Sequence, residues 1–135
     1  MTQDDGQATQ APGVESRLAS HGKMSYLEIP AVDARQSAAF YAAVFGWKLR
    51  GDTDNPHFDD PTGDLIGAWM TGRAISSEPG LLPYIYVDRI DDTLEQVTAN
   101  GGQIVRAPFP EEQLWVATFR DPAGNVLGVW QAGPR

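Results

Sequence analysis

The sequence predicts an α+β fold made of two β-α-β-β-β modules, and an internal repeat is the main reason. Residues 60–69 read Asp-Pro-Thr-Gly-Asp-Leu-Ile-Gly-Ala-Trp, and residues 121–130 read Asp-Pro-Ala-Gly-Asn-Val-Leu-Gly-Val-Trp. A match of this length at ordered spacing indicates an internal duplication. Both stretches also follow the same order of a β-like run and a helical segment that ends at glycine. The repeat therefore predicts two modules related by pseudo-two-fold symmetry, with Trp69 and Trp130 in equivalent places.

The first half provides one module. A short β-like run covers Tyr26–Pro30. Asp33 is suited to cap a helix that ends at Gly46, because its carboxylate can accept from free backbone N–H groups and glycine favours the left-handed residue after a helix. Extended structure resumes at Trp47–Arg50. The Asp-Pro-Thr-Gly turn then leads into a strand at Leu65–Met70.

The second half repeats this order, beginning with a strand of aromatic and β-branched residues at Tyr84–Val87. Asp88 or Asp91 is suited to cap a helix with one apolar face that ends at residues 100–102. The extra residues of this half are expected in a loop at residues 106–115. Three further strands are predicted, at Gln103–Arg106, Trp115–Arg120 and Val126–Gln131.

The length of 135 residues fits a single domain. Residues 1–23 are rich in Gln, Ala, Gly and Ser, so they are expected to form a disordered tail. Residues 24–135 are expected to form the domain. Its two modules should occupy about residues 24–72 and 80–131.

Composition excludes several classes of function. The chain has no cysteine, which excludes a disulfide scaffold, a thiolate zinc site and a cysteine nucleophile. Its net charge of −8 argues against nucleic acid and anionic membranes as partners, because both favour basic patches. No apolar run approaches the roughly 20 residues that span a bilayer, and no signal peptide is visible. A cytoplasmic protein is therefore expected.

The pattern resembles the vicinal oxygen chelate superfamily, which includes glyoxalase I, bleomycin-resistance proteins and extradiol dioxygenases. The resemblance spans about residues 24–131. It is carried by Ile29-Pro-Ala-Val-Asp33, Phe45-Gly-Trp47, Tyr84-Ile-Tyr-Val-Asp88, Asn100-Gly-Gly102 and the Asp-Pro-x-Gly-Asn turn with its following Gly-x-Trp strand. It implies that the two modules form a curved sheet with a concave cavity. Members include lyases, isomerases, dioxygenases, transferases and drug-binding proteins.

Enzymes of this superfamily hold a metal ion with one ligand on each of four strands. The resemblance places these four positions at Tyr26, Gly67, Leu82 and Gly128. None is a histidine or a carboxylate, and glycine and leucine side chains cannot coordinate an ion. The sequence therefore predicts that the chain uses no metal and no other cofactor.

Strand alternation places several further residues on the face that the resemblance assigns to the cavity. Glu28 shares a face with Tyr26, where a desolvated carboxylate could act as a general acid or base. The alternative is that Glu28 pairs with an arginine or a backbone amide at the rim. Tyr84 and Tyr86 share a face with Leu82, and either line the pocket or pack as structure.

Two tryptophans allow two interpretations. Trp69 and Trp130, each two residues after a glycine, either form an aromatic cup for a planar ligand or fill the space that the glycines leave. The predicted 106–115 loop could act as a lid through its Phe109, Gln113 and Trp115. His57, in a turn-rich stretch, is expected in a loop.

These observations predict a protein that binds a small aromatic or apolar molecule without a metal, sequestering or tailoring a metabolite or antibiotic. Three alternatives stay open. One is a metal-free enzyme that uses Glu28 with Tyr84 or Tyr86 for proton transfer. Another is a metal-dependent lyase or dioxygenase with displaced ligands such as Glu28 and His57. The last is a purely structural homodimer. A small-molecule ligand and a second copy of the chain are the expected partners.

Overall fold

A computed structural model provides the structure of the chain and describes residues 18–135. This part of the chain forms eight strands and two helices, which confirms the predicted α+β class. The elements are β1 (Tyr26–Ala31), α1 (Ala34–Phe45), β2 (Lys48–Arg50), β3 (His57–Asp59), β4 (Ile66–Thr71), β5 (Tyr84–Tyr86), α2 (Ile90–Ala99), β6 (Gln103–Glu111), β7 (Leu114–Arg120) and β8 (Val126–Ala132). Neither helix has the length and apolar character needed to cross a bilayer.

The strands form two four-stranded sheets with the same topology. Their orders are β1-β4-β3-β2 and β5-β8-β7-β6. In each sheet the first and last strands of the module pair in parallel, and the other pairs are antiparallel. The helix of each module supplies the crossover that a parallel pair requires. The prediction of two β-α-β-β-β modules is therefore confirmed.

Two strands differ from the sequence prediction. His57 lies in β3, where it pairs with Arg50 and Ala68, and so it is not a loop residue. The region predicted as a loop at residues 106–115 is a hairpin of β6 and β7. Register shifts between Ile104 and Phe109 absorb the extra residues of the second half. Such bulges let a strand gain residues without leaving its sheet.

The two helices begin in different ways. Asp33 caps α1 as predicted, since its carboxylate accepts from the backbone N–H groups of the next turn. The prediction that Asp88 or Asp91 caps α2 is wrong, because Arg89 occupies that position and makes no side-chain capping bond. The cap is supplied instead by the buried Gln131 of β8, whose Oε1 accepts a hydrogen bond from the backbone N–H of Ile90 at 2.7 Å.

One hydrophobic core lies between the helices and one face of each sheet. In the first module this core is aromatic. The ring centroids of Tyr41 and Trp47 are 4.6 Å apart, and those of Trp47 and Phe58 are 4.4 Å apart. The ring of Phe40 in α1 also packs near that of Phe119 in β7, with centroids 6.0 Å apart, so the same core joins both modules.

A buried polar network also joins the two halves of the chain. Tyr41 donates to Asp121 at 2.7 Å, and Asn125 donates to Asp121 at 2.9 Å and to the carbonyl of Pro30 at 2.7 Å. Burial raises the pKa of the Tyr41 hydroxyl well above its ordinary value, and the neighbouring Asp121 carboxylate adds to the shift. Because every partner is satisfied, the network can remain buried at low cost.

The N-terminal tail falls mostly outside the described residues. The predicted disorder of residues 1–17 is not addressed by the structure, and residues 18–23 are exposed or half-buried. Lys23 donates through Nζ to the backbone carbonyl of Asp64 at 2.6 Å. The tail boundary therefore stays a prediction.

Candidate open-face site

Each sheet has one face packed on the helices and one face that points away from them, called here the open face. In the second sheet Ile85 and Val129 pack into the core, so strand alternation places Tyr84, Gly128 and Trp130 on the open face. The sequence predicted that these residues share a face. The structure brings them together as cross-strand neighbours of β5 and β8.

The ring of Tyr84 lies directly over Gly128. A Cβ added to Gly128 would be 2.3 Å from Cε2 of this ring and 2.4 Å from its Cδ2. The glycine therefore supplies the space in which the ring can lie against the strand. The ring packs against β8 at this glycine, while Tyr84 as a whole remains 47% exposed. This half-exposed ring is called here the platform.

Two further aromatic side chains stand beside this platform. The rings of Tyr86 and Trp130 meet edge to face, with centroids 4.7 Å apart and planes at 78°. Tyr86 is 48% exposed and Trp130 is half-buried. An edge-to-face pair of this kind fixes the orientation of both rings. The open face of β5 and β8 is thus an ordered aromatic surface.

A cavity of about 280 Å³ opens at this surface. Its lining combines the aromatic residues with side chains of the β6–β7 hairpin: Tyr84, Trp130, Leu114, Val116 and Glu111. Sequence analysis did not select the last three. Leu114 and Val116 reach the cavity because β7 pairs with β8, which places Val116 opposite Trp130.

A larger cavity of about 680 Å³ lies at the free edge of β5. The C-terminal end of α1 and the start of α2 border it, and Phe45, Trp47 and Leu65 provide apolar walls. Asp88 and Asp92 lie at its rim, with Asp92 paired to Arg89. Tyr84 and Tyr86 reach both this space and the open face, because β5 is the last strand of its sheet.

Glu28 lies in a different sheet from Tyr84 and Tyr86. It occupies the open face of the first sheet with the exposed Tyr26, and its carboxylate pairs with Arg73 at 2.6 Å. It lines neither of the two cavities. The rim ion pair that the sequence left as an alternative is the arrangement observed. Leu82 precedes β5 and is half-buried.

The expected equivalence of Trp69 and Trp130 is wrong. Trp69 is buried on the helix side of its sheet, where its ring lies 5.0 Å from that of Phe58. Trp130 stands on the open face of the other sheet. The cause is the turn before each strand: Asp60 N–H bonds the carbonyl of Leu65, whereas Asp121 N–H bonds that of Asn125. The second turn is one residue shorter, which reverses the faces of β8 relative to β4.

The β6–β7 region, which the sequence predicted as a loop that could act as a lid, is a paired hairpin. Phe109 lies opposite Val116 of the cavity lining, whereas Trp115 lies on the other face of β7. The guanidinium of Arg106 lies over the ring of Phe109 at 3.4 Å, and that of Arg135 lies over Trp115 at 5.0 Å. Trp115 also packs against the core.

Comparison with known proteins identifies the fold family. Residues 23–129 match the model of the glyoxalase/bleomycin resistance protein/dioxygenase superfamily. The chain belongs to this superfamily. It is 27% identical to CFP32 of Mycobacterium bovis, provisionally named a glyoxylase, across 82% of this chain and 46% of CFP32. The chain thus spans about half the length of that relative.

One further relative and one solved structure are similar to this chain. A glyoxylase-like domain-containing protein of Didymella fabae is 34% identical over 62% of this chain and 71% of its own. The crystal structure of TnmS3, an antibiotic binding protein from Streptomyces sp. CB03234, matches with a TM-score of 0.64 at 21% identity. That match covers 84% of this chain and 97% of TnmS3.

The superfamily's metal site does not fit the residues present. On the open faces the equivalent cross-strand pairs are Glu28 with Ala68 and Tyr84 with Gly128. Gly67, assigned to this site from the sequence, faces the helices instead, where the ring of Phe58 covers it. His57 and Asp59 share the open face of the first sheet with Glu28, but Glu28 is paired with Arg73 and Asp59 with Arg50. One imidazole and two carboxylates already paired with arginines are a poor donor set for a divalent ion. Across residues 18–135 no three His, Cys, Asp or Glu side chains are grouped to hold an ion.

Proposed function

We propose that this superfamily member binds a small planar or apolar organic molecule on the open face of its second module. The observation that carries the proposal is the half-exposed Tyr84 ring, which packs against Gly128 and lines the 280 Å³ cavity. A ligand stacked there would contact Trp130 and the aliphatic side chains of β7. Each square ångström of apolar surface removed from water contributes about 25 cal/mol.

The similarity to an antibiotic binding protein supports a binding role over a structural one. TnmS3 has the same fold, and its name states that it binds an antibiotic. The open face of this chain has the aromatic surface that such a role requires. Sequestering an antibiotic or a metabolite is the cellular role we propose.

The test is a fluorescence titration with acridine, a planar heteroaromatic probe. Binding beside Trp130 should quench tryptophan emission. Tyr84→Ala should weaken acridine binding by about tenfold, which is about 1.4 kcal/mol. Tyr26→Ala is the matched control, because Tyr26 is 49% exposed on the other sheet and lines neither cavity. Equal effects of the two variants, or no binding by the wild type, would contradict the proposal.

We propose further that binding needs no metal ion, because the residues of the site are aromatic, aliphatic and one carboxylate. Dialysis against a chelator should then leave the acridine affinity unchanged. Elemental analysis should find no stoichiometric zinc, nickel, iron or manganese. A ratio near one metal per chain that is lost in Glu28→Ala would overturn this part.

Proton-transfer catalysis by Glu28 is the less favoured function. The carboxylate is paired with Arg73 and lines neither cavity, whereas Tyr84 lines both. Glu28→Gln should therefore keep ligand affinity within about threefold of the wild type. An enzyme using this residue would lose turnover by about 10²-fold while still binding its substrate.

We also propose that the chain forms a homodimer. Leu81, just before β5, is 90% exposed. The free edge of β5 adds unpaired backbone groups beside it. A second copy would cover these groups. Sedimentation velocity should give twice the chain mass of 14.7 kDa, and a monomer at all concentrations would contradict this proposal.

A further inference from the structure

We infer that Glu111 makes the open-face cavity selective for aromatic ligands that carry a positive charge. This inference rests on the proposed function and adds to it the chemical class of the ligand. The observations are the composition of the cavity lining, the freedom of the Glu111 carboxylate and the geometry of the hairpin that holds it.

Glu111 is the only carboxylate among the five residues that line the cavity. The other four are aromatic or aliphatic, so no cationic side chain in the lining competes for it. Within residues 18–135 the Glu111 side chain takes part in no ion pair or hydrogen bond. Several other carboxylates in that range are paired, as Glu28 is with Arg73 and Asp92 with Arg89. Glu111 is therefore available to a ligand.

The hairpin fixes the position of Glu111 beside the aromatic platform. Glu111 is the last residue of β6 and pairs with Leu114, which leaves a two-residue turn of Glu112 and Gln113. Glu112 has a φ of 57°, in the left-handed region that a tight hairpin turn requires and that non-glycine residues rarely adopt. The carbonyl of Gln113 accepts from the backbone N–H of Gly133. These contacts tie the tip of the hairpin to the end of β8.

An aromatic cation satisfies this arrangement better than a neutral or anionic ligand. Its ring can stack on the half-exposed ring of Tyr84, and its charge is attracted by the π-systems of Tyr84 and Trp130. The Glu111 carboxylate provides the opposite charge at the rim. The net charge of −8 adds a long-range attraction for cations and repels anions.

The experiment compares two probes and two variants. N-methylacridinium carries a fixed positive charge, while acridine has the same ring system and is neutral at mildly alkaline pH. Both are titrated by tryptophan fluorescence against the wild type, Glu111→Gln and Glu112→Gln. Glu112→Gln is the matched control because it removes one negative charge from the adjacent residue, which is not part of the lining. The two variants therefore change the overall charge equally.

Glu111→Gln should weaken N-methylacridinium binding by about fivefold, the scale of a partly solvated charge pair, and leave acridine binding unchanged. Glu112→Gln should change neither. Added salt should weaken only the cationic probe. Equal losses in the two variants, or equal affinity of the wild type for both probes, would overturn the role of Glu111 while leaving the proposed function intact. If the wild type bound neither probe, the proposed function itself would fail.

Discussion

Tyr41 is buried against Asp121, and this pair makes the stability of the fold vary with pH in the alkaline range. The folded state raises the pKa of the Tyr41 hydroxyl, so folding favours the protonated form. Below the unfolded value of about 10 the stabilisation is fully present. As the pH rises above that value, the unfolded chain releases the Tyr41 proton while the folded chain retains it, and stability falls.

Tyr41→Phe tests this dependence. The variant should be less stable at neutral pH by about 2 kcal/mol, because Asp121 loses a buried donor. The difference from the wild type should narrow as the pH rises above about 10, since phenylalanine has no proton to lose. Urea unfolding across this pH range measures both quantities. A difference independent of pH would show that Tyr41 ionises equally in both states.

Two glycines at repeated sequence positions should respond differently to alanine. At Gly67 a Cβ would lie 1.9 Å from the carbonyl oxygen of Leu27 and 2.5 Å from the buried ring of Phe58. Backbone must move there, so Gly67→Ala should destabilise the protein by about 3 kcal/mol or more. At Gly128 the three atoms nearest to the Cβ would all belong to the half-exposed Tyr84 ring, which can rotate away.

Gly128→Ala should therefore change stability by about 1 kcal/mol or less but weaken the binding of a planar probe. Thermal unfolding and the acridine titration separate the two effects. The interpretation of the platform would be wrong if Gly128→Ala kept full affinity, or if it unfolded the protein as Gly67→Ala is expected to do.

Sequence reasoning at the residue scale succeeded where period-two alternation was enough. It grouped Tyr84 with Tyr86 and Gly128 with Trp130, and the structure places all four on one face. It could not predict which side chains of the hairpin line the cavity, because the face on which Glu111 lies depends on the register shifts in β6. It also could not decide between an ion pair and a free carboxylate for Glu28, since Arg73 is distant in the sequence.

At the scale of elements, the start of α2 depends on a residue from another strand. Gln131 accepts from Ile90 N–H and donates to the carbonyl of Pro134 at 2.9 Å. Gln131→Met should lower the free energy of unfolding by about 1–2 kcal/mol, because it leaves the backbone N–H of the buried Ile90 without a partner. Asp88→Ala is the control and should change stability by about 0.5 kcal/mol or less. Urea unfolding compares them, and a larger effect of Asp88→Ala would contradict the observed cap.

Elements were predictable where a local signal marked both ends. Helix α1 has Asp33 before it and Gly46 after it, and the structure confirms both. Helix α2 was found from its apolar face, but its cap could not be found because it comes from β8. The three-residue β3 was missed since turn-forming residues precede it and its partners are set by the sheet.

At the scale of the whole molecule, Asn125 connects the two modules. Besides its bonds to Asp121 and Pro30, its Oδ1 accepts from the backbone N–H of Ser76 at 2.8 Å. Asn125→Ala should lower the free energy of unfolding by about 3 kcal/mol while keeping a single transition, because both modules share one core. Far-ultraviolet circular dichroism and tryptophan fluorescence should give the same midpoint.

Asn55→Ala provides the control, because Asn55 is exposed and bonds only through its backbone. It should leave the midpoint unchanged. Separate midpoints for the two signals in Asn125→Ala would show that the modules unfold independently.

The order of elements in the molecule was predictable because the repeat and its turn signals are local. The shared topology of the two halves was predicted correctly, but the faces of β8 relative to those of β4 were not. Identity of residues aligned Trp69 with Trp130, whereas the hydrogen bonds of the turns align Trp69 with Val129.

The shorter turn before β8 has a consequence for how duplicated modules diverge. Loss or gain of one codon in a turn exchanges the inward and outward positions of the whole strand that follows. The tryptophan of the Gly-x-Trp segment is then buried in one copy and stands on the open face in the other. In a protein with two such modules, one can keep its structural role while the exposed residues of the other change. Here the difference between the halves arises in the turn before β8, which sets the direction of the tryptophan, and not in the tryptophan itself.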